Sequence, residues 1–322
     1  MIRRTALLIC ALGLAATGGK ALAQDFPSKP IRFIVPYTPG GGADRTARLL
    51  AQHLAALLGQ PVVVENRGGA SGNIGTDAVA KSPPDGYTWV MGTDPPFTIN
   101  PHLRKMPFDP IKDFEPVSLI SKVPLVLIAN PALKADNTAD LVKLAKASPD
   151  KVTAASSGNG SSAHLAAAML MATTGTKLFH VPYKGQAEAI ADVVSGRVDL
   201  NFSAIESVLS LVKAGKLKAI AIGSDKRFAG LPGVTTVAEA GYPGFDVSAW
   251  HGLLVPAATP PAIVARINEA VTKVLQMPEV ISRFEQGGLQ PMGGPPDALR
   301  QLMRNDSDRW GKLIRENGIK PD

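Results

Sequence analysis

The sequence predicts an α/β protein built from two lobes of like architecture, joined by two strand crossings. Three observations carry this. Apolar runs alternate with helical patterns through most of the chain, which favours a largely parallel sheet. The order strand, glycine loop, helix, glycine appears twice, once near each end of the central region. Two extended apolar segments lie where the chain would pass between the two halves.

In the first half, residues 31–36 read as a buried strand and Pro39-Gly40-Gly41-Gly42 as the loop that follows. A helix runs from about Asp44, with Ala47, Leu50, Leu54 and Leu57 or Leu58 at helical spacing, and stops at Gly59. Residues 61–64 form the next strand, 68–72 a second glycine loop, 73–81 a short helix and 87–91 a third strand. The second half repeats the order. Its elements are a strand over 152–155, a small-residue loop over 156–162, a helix over 164–173 and a strand over 177–182. Lys184-Gly185-Gln186 is a further loop, 187–194 a helix and 197–202 a strand. The crossings are expected at 117–128 and 246–256, which puts lobe 1 at 24–121 plus 252–322 and lobe 2 at 122–251. Two helices, 262–276 and 296–317, then complete the first lobe, the second with Leu299, Leu302, Met303, Trp310 and Leu313 on one face.

Composition agrees with a folded core and excludes several classes. The 322 residues are 45% hydrophobic and 19% charged, so disorder is excluded, and a single Cys rules out a disulfide scaffold. At the N-terminus, Arg3 and Arg4 precede an apolar stretch over 6–16, and Ala21-Leu22-Ala23 has the small-x-small form of an export cleavage site. A lipoprotein signal ending at Cys10 is rejected, because apolar sequence continues beyond it. Cleavage after Ala23 removes three of the 34 basic residues and none of the 27 acidic ones, so the surplus falls from +7 to +4. That charge is too small and scattered for nucleic acid. Export with no cysteine left means the core alone holds the fold.

The glycine loops are where chemistry is expected. In open parallel sheets ligands sit beyond the carboxyl ends of the strands, where helix N-termini present free N–H groups and the positive end of the dipole. Loops over 38–43, 68–73 and 156–162 stand at such points, and their glycines admit a ligand to the backbone. One such loop alone reads as an ordinary turn; paired loops from two like lobes point to an anion cleft. Gly158-Asn159-Gly160-Ser161-Ser162-Ala163 fits a relaxed dinucleotide turn, but 177–186 offers no acid to hold a ribose. There is no phosphate-binding Gly-Lys-Ser/Thr loop, no Gly-x-Ser-x-Gly elbow and no His-Glu-x-x-His pair. No cofactor or metal is expected.

Individual residues leave alternatives open. Tyr37 precedes the first glycine loop and could wall the cleft. Asp44 supports that loop or caps its helix. His164 contacts a ligand carboxylate, caps its helix or packs on Phe179. Asp199, read at a cleft-facing strand end, binds a ligand ammonium or hydroxyl or supports a loop. Trp250 and His251 fall in the return crossing, where aromatic packing is the default.

Several stretches together resemble the Bug proteins, extracytoplasmic solute receptors of tripartite tricarboxylate transporters. They are residues 26–32, Val35-Pro36-Tyr37-Thr38-Pro39-Gly40-Gly41-Gly42-Ala43-Asp44, residues 65–75, Pro84-Asp85-Gly86-Tyr87-Thr88, residues 157–165, Val181-Pro182-Tyr183-Lys184-Gly185 and Trp250-His251-Gly252-Leu253, with Thr259-Pro260 near the end. The resemblance covers essentially the whole mature chain. It implies a two-lobed, type II periplasmic-binding-protein-like clamshell that closes on a small carboxylate and presents it to the membrane subunits of a transporter, and the chain reads as a monomeric, non-enzymatic receptor. The alternatives are an orphan carboxylate sensor without its own transporter and a secreted α/β enzyme acting on a small organic acid, with Asp44, His164 or Asp199 in acid–base roles. The ligand classes the resemblance implies are di- and tricarboxylates, amino acids and aromatic acids. The ligand-binding residues implied are Tyr37, Gly40, Gly41, Gly42, Ala43, Asp44, Asn73, Thr93, Ser156, Ser157, Asn159, Ser161, Asp199 and Ser203. Asp94, Pro95, Pro96, Phe97, Gln186 and Glu206 are the candidate selectivity positions.

Overall fold

The computed structural model describes residues 26–320. The export segment and its cleavage site lie outside the described residues. The chain begins with β1 (Ile31–Val35), α1 (Gly42–Leu58), β2 (Val62–Asn66), α2 (Asn73–Ala80), β3 (Thr88–Thr93) and β4 (Phe114–Val123). It then builds β5 (Leu125–Ala129), α3 (Thr138–Ala147), β6 (Thr153–Ser156), α4 (Ser162–Thr174), β7 (Phe179–Pro182), α5 (Gln186–Ser195), β8 (Leu200–Ala204), α6 (Ile205–Lys213) and β9 (Lys218–Ile222). It ends with β10 (Ala249–Pro256), α7 (Pro261–Leu275), α8 (Pro278–Gln286), β11 (Gln290–Pro291) and α9 (Pro296–Glu316).

Two sheets organise these elements, in the orders β11-β4-β10-β3-β1-β2 and β7-β6-β8-β5-β9. The trio β2-β1-β3 is parallel in the first and β7-β6-β8 in the second, so the repeated strand–loop–helix order builds the same three-strand unit twice. Each trio is then extended by an antiparallel strand supplied by a crossing: β10 beside β3, and β5 beside β8. The sheets are therefore mixed, less purely parallel than the alternation of elements suggests. The chain changes sheet at Pro124, between β4 and β5, and returns at β10. Helices cover both faces of each sheet, as parallel strands buried on both sides require. One face of the first sheet packs Ala47, Leu50 and Leu54 of α1 against Phe33 and Trp89, and the other carries Phe97, Phe114 and Trp250.

Helix boundaries follow the glycines. Gly59 adopts φ 68° and its N–H bonds to the Ala55 carbonyl, ending α1, and Gly175 does the same for α4 at φ 64°. Helix α9 departs from expectation. Its Leu299 and Met303 pack in the first lobe, whereas Trp310 and Ile314 join the core of the second, so the C-terminal helix straddles both. Its middle is tied to the hinge. Trp250 Nε1 donates to Asp306 Oδ2 at 3.0 Å, Arg309 Nη2 donates to Asp306 Oδ1 at 2.9 Å, and Arg309 Nη1 donates to the Asp246 carbonyl. Among the described residues no helix is long and apolar enough to cross a membrane.

Candidate functional site

A cavity of about 1420 Å³ lies between the lobes, beyond the carboxyl ends of both parallel trios. Four helices begin at it. The N-cap residues of α1, α2 and α5 are Gly41, Gly72 and Gly185; all three line the cavity, and none of these helices has a side-chain cap. The first N–H groups of each helix have no acceptor within the helix. Gly42 and Ala43 of α1 and Gln186 and Ala187 of α5 line the cavity, whereas in α2 the Ile74 N–H turns back to the Gly69 carbonyl at 3.5 Å. Helix α4 differs, because Ser161 Oγ accepts from the His164 N–H at 3.3 Å. Three uncapped N-termini, two from the first lobe and one from the second, thus converge on one space. The arrangement suits an anion, since each terminus contributes donors and partial positive charge without adding a titrating group.

The first glycine loop is held in shape by Asp44. Its carboxylate accepts from the Gly40 N–H at 2.9 Å, from Arg48 Nε at 3.1 Å and from Asn66 Nδ2 at 2.9 Å. Burial pushes its pKa up, but these hydrogen bonds outweigh that and hold it below the ordinary value. Asp44 therefore supports the loop and does not line the cavity. Tyr37 does line it. Its hydroxyl bonds to Thr93 Oγ1 at 2.7 Å, and burial raises its pKa further above neutrality, so it stays a neutral wall.

The structure separates the expected site residues into two groups. Tyr37, Gly40, Gly41, Gly42, Ala43, Thr93, Ser157 and Ser161 line the cavity, as do Asp94, Pro95, Gln186 and Glu206. Asn73, Ser156, Asn159, Ser203, Pro96 and Phe97 do not. Asn73 turns inward, accepting from Asn100 Nδ2 at 3.0 Å. Ser156 is fully buried and bonds His180 Nε2 at 2.6 Å. Ser203 accepts from Gln186 Nε2 at 2.7 Å and donates to Asn201, so with Asn201 it fixes the amide of a cavity residue from behind. Asp199 is misplaced by the sequence reading. Strand β8 begins at Leu200, so Asp199 sits at its amino end, away from the cleft, and accepts from the Thr153 N–H and Oγ1, both at 2.8 Å. His164 stacks on His180 with ring centroids 4.0 Å apart, not on Phe179, and its Nδ1 accepts from the Gly160 N–H at 3.2 Å, bracing the serine loop.

Two carboxylates mark where the lobes meet. Asp94, at the end of β3 and 3% exposed, accepts from the Ser162 hydroxyl of α4 at 2.6 Å, a hydrogen bond from one lobe to the other. Burial pushes its pKa up to about 7. Glu206, in the first turn of α6, is likewise pushed up to about 7 by burial, offset in part by Arg45. Arg45 makes the second crossing contact, its Nη2 donating to the Glu206 carbonyl at 3.1 Å. His251 lines the cavity as a neutral imidazole, burial pulling its pKa down to about 4. Sequence reading missed Arg45 as a cavity residue, and also Glu279 and Arg283 of α8; the Val280–Phe284 spacing was the available signal for that helix.

Comparison with known proteins gives the family and the fold. Residues 46–319 match the model of the tripartite tricarboxylate transporter family receptor. BugT of Bordetella pertussis is 38% identical over 322 residues, covering 99% of this chain and 99% of that protein. The adipate-bound structure of a Rhodopseudomonas palustris protein superimposes with a TM-score of 0.87 at 35% identity, covering 92% of this chain and 100% of that one. MatC of the same organism, with bound malate, gives 0.81 at 32% identity, covering 90% and 100%. With the family model spanning most of the chain and a relative aligned over nearly its whole length, this chain belongs to the receptors of the tripartite tricarboxylate transporter family.

Proposed function

We propose that the protein is a periplasmic receptor that captures a small carboxylate between its lobes and delivers it to the membrane subunits of a tripartite tricarboxylate-type transporter. The observation that carries this is the convergence of the uncapped, glycine-started helices α1, α2 and α5 on one cavity. Such donors bind an anion and release it without changing protonation. Tyr37, Gly40, Gly41, Gly42, Ala43, Thr93, Ser157 and Ser161 are the proposed contacts, with Gln186 setting shape at the second lobe. The adipate and malate held by two similar proteins support the ligand class.

Binding without turnover fits the cleft's chemistry. The Ser–His hydrogen bonds beside it, Ser156 to His180 and Ser121 to His251, each have a fully buried serine that a substrate cannot reach. The protein acts as a monomer whose closed form the membrane subunits read, and export through the cleaved N-terminal segment places it in the periplasm. Thermal shift and calorimetry against a panel of carboxylates test the reading. A set of acids that stabilises the protein and is recovered unchanged supports it; indifference to every acid, or chemical conversion of a bound one, overturns it.

A further inference from the structure

Of the three glycines that lead into α1, only Gly42 has its side-chain space filled. A Cβ on Gly40 would meet nothing within 4 Å and one on Gly41 only the Thr38 carbonyl at 3.8 Å, whereas one on Gly42 would fall on the Glu206 carboxylate. Gly42 is the first residue of the helix and its φ is not left-handed, so the backbone does not call for glycine there. Alanine would suit the helix better. What the missing side chain admits is a carboxylate, and the one on Glu206 fills the place.

Glu206 belongs to the other lobe, in the first turn of α6, and α1 itself aims it. Arg45 follows Gly42 by three residues on the same face of α1. Its Nη2 donates to the Glu206 carbonyl at 3.1 Å and its Nη1 to the Gly40 carbonyl at 2.7 Å. The guanidinium thereby ties the backbone of Glu206 beside the glycine loop, and the side chain folds over Gly42. Among the described residues the carboxylate itself takes part in no hydrogen bond or ion pair, so it is covered but not held. Gly42 and Ala43, whose N–H groups lack helical acceptors, line the same space. A ligand carboxylate at this turn and the Glu206 carboxylate therefore claim one place, and two like charges at one helix end repel.

We infer that Glu206 is a built-in competitor for the ligand's carboxylate: its side chain covers the first turn of α1, and an acid reaches those donors by turning it away. The inference rests on the carboxylate reading of the cleft and adds a threshold to it. Rotation about the Glu206 side-chain torsions clears the turn while Arg45 keeps the α6 backbone in place. Apparent affinity is then scaled by the fraction of molecules in which the turn is clear. Because the competitor is tethered, it acts at high effective concentration against any small anion that engages α1 alone. An acid that also engages α5 on the other lobe has the additional contacts needed to displace it.

The test is calorimetry on the exported chain with succinate, malate and adipate, in the parent and three variants whose fold circular dichroism confirms. Glu206→Ala should bind the best of these acids about fivefold or more tightly than the parent. Glu206→Asp separates position from charge: it keeps the acid but is one methylene too short to cover Gly42, so it should bind like the alanine variant. Glu206→Gln keeps the length, so its amide still covers the turn and affinity should stay within about threefold of the parent. The assignment requires the alanine and aspartate variants both to bind more tightly than the glutamine variant and the parent. Any other order, with acids still bound, overturns the competitor and leaves the carboxylate receptor standing. Failure of every acid on the parent and on all three variants overturns both.

Discussion

Removing the hydroxyl that joins the lobes isolates the energetics of closure. Ser162→Ala deletes the donor to Asp94, a bond of 2.6 Å that exists when the lobes touch and is broken when they part. Ser162 is the first residue of α4, while the cap is made by Ser161, so alanine there leaves the cap intact and suits the helix. A hydrogen bond to a charged group contributes about 1.5–3 kcal/mol, and a neutral one about half that. Asp94 is 3% exposed and keeps no replacement for the lost donor, which adds a cost of similar size to the closed form alone. With Asp94 partly protonated near neutrality, a net loss of about 2 kcal/mol is expected, roughly 30-fold in the closed-to-open ratio. Apparent affinity falls by the same factor when the closed form is the minor one. Calorimetry gives the affinity, and fluorescence energy transfer between a label on each lobe gives the closure. Asp94→Asn keeps an acceptor for Ser162 and should cost less. Ser162→Ala with affinity and closure both within about twofold of the parent would refute the argument.

Gly41→Val should weaken every carboxylate about tenfold or more while leaving thermal stability nearly unchanged. Its extended φ of −72° suits valine and its added Cβ meets nothing closer than 3.8 Å, whereas the side chain would screen the α1 donors. Trp310→Ala should destabilise the protein by about 3–5 kcal/mol, read as a lower denaturation midpoint, because the ring is 1% exposed in the core where α9 reaches the second lobe. Rising pH should open the unliganded protein. Asp94, facing Asp306 and Arg309, and Glu206, facing Arg45, have pKa values raised to about 7 when the lobes touch and ordinary ones when they part. The closed form therefore holds extra protons between about pH 4 and 7, is favoured below that window and loses the advantage as pH climbs through 7. Energy transfer between the lobes should fall from about pH 5 to pH 8, and a flat profile would contradict the assignment.

What the sequence made legible follows from where its signals are local. The three-strand unit of each lobe was readable because Gly59 and Gly175 end helices in a left-handed conformation that other residues avoid. Helix α6 was not, since it follows β8 directly at Ala204 with neither glycine nor proline between them. The direction of β5 and β10 was equally hidden, because an apolar run carries no sign of its neighbour's orientation. Helix α9 has one apolar face, and nothing in its spacing says that Leu299 and Trp310 belong to different lobes. In the site, the backbone-defined part was visible as glycine loops, while side-chain direction was not. Asn73 and Ser156 look like ligand contacts until Asn100 and His180, both distant in sequence, turn them inward. Asp199 was lost to a register of two or three residues at the start of β8.

The central claim is that uncapped helix N-termini from both lobes hold the ligand's carboxylate. A crystal structure of the protein with its tightest-binding acid tests it most directly. The account predicts carboxylate oxygens within about 3.2 Å of N–H groups in the first turns of α1 or α2 and of α5, directly or through a single water, with the lobes closed and Asp94 bonded to Ser162. An acid held outside the cleft, or by Lys184 and Arg283 at its mouth with those N–H groups facing solvent, would contradict it.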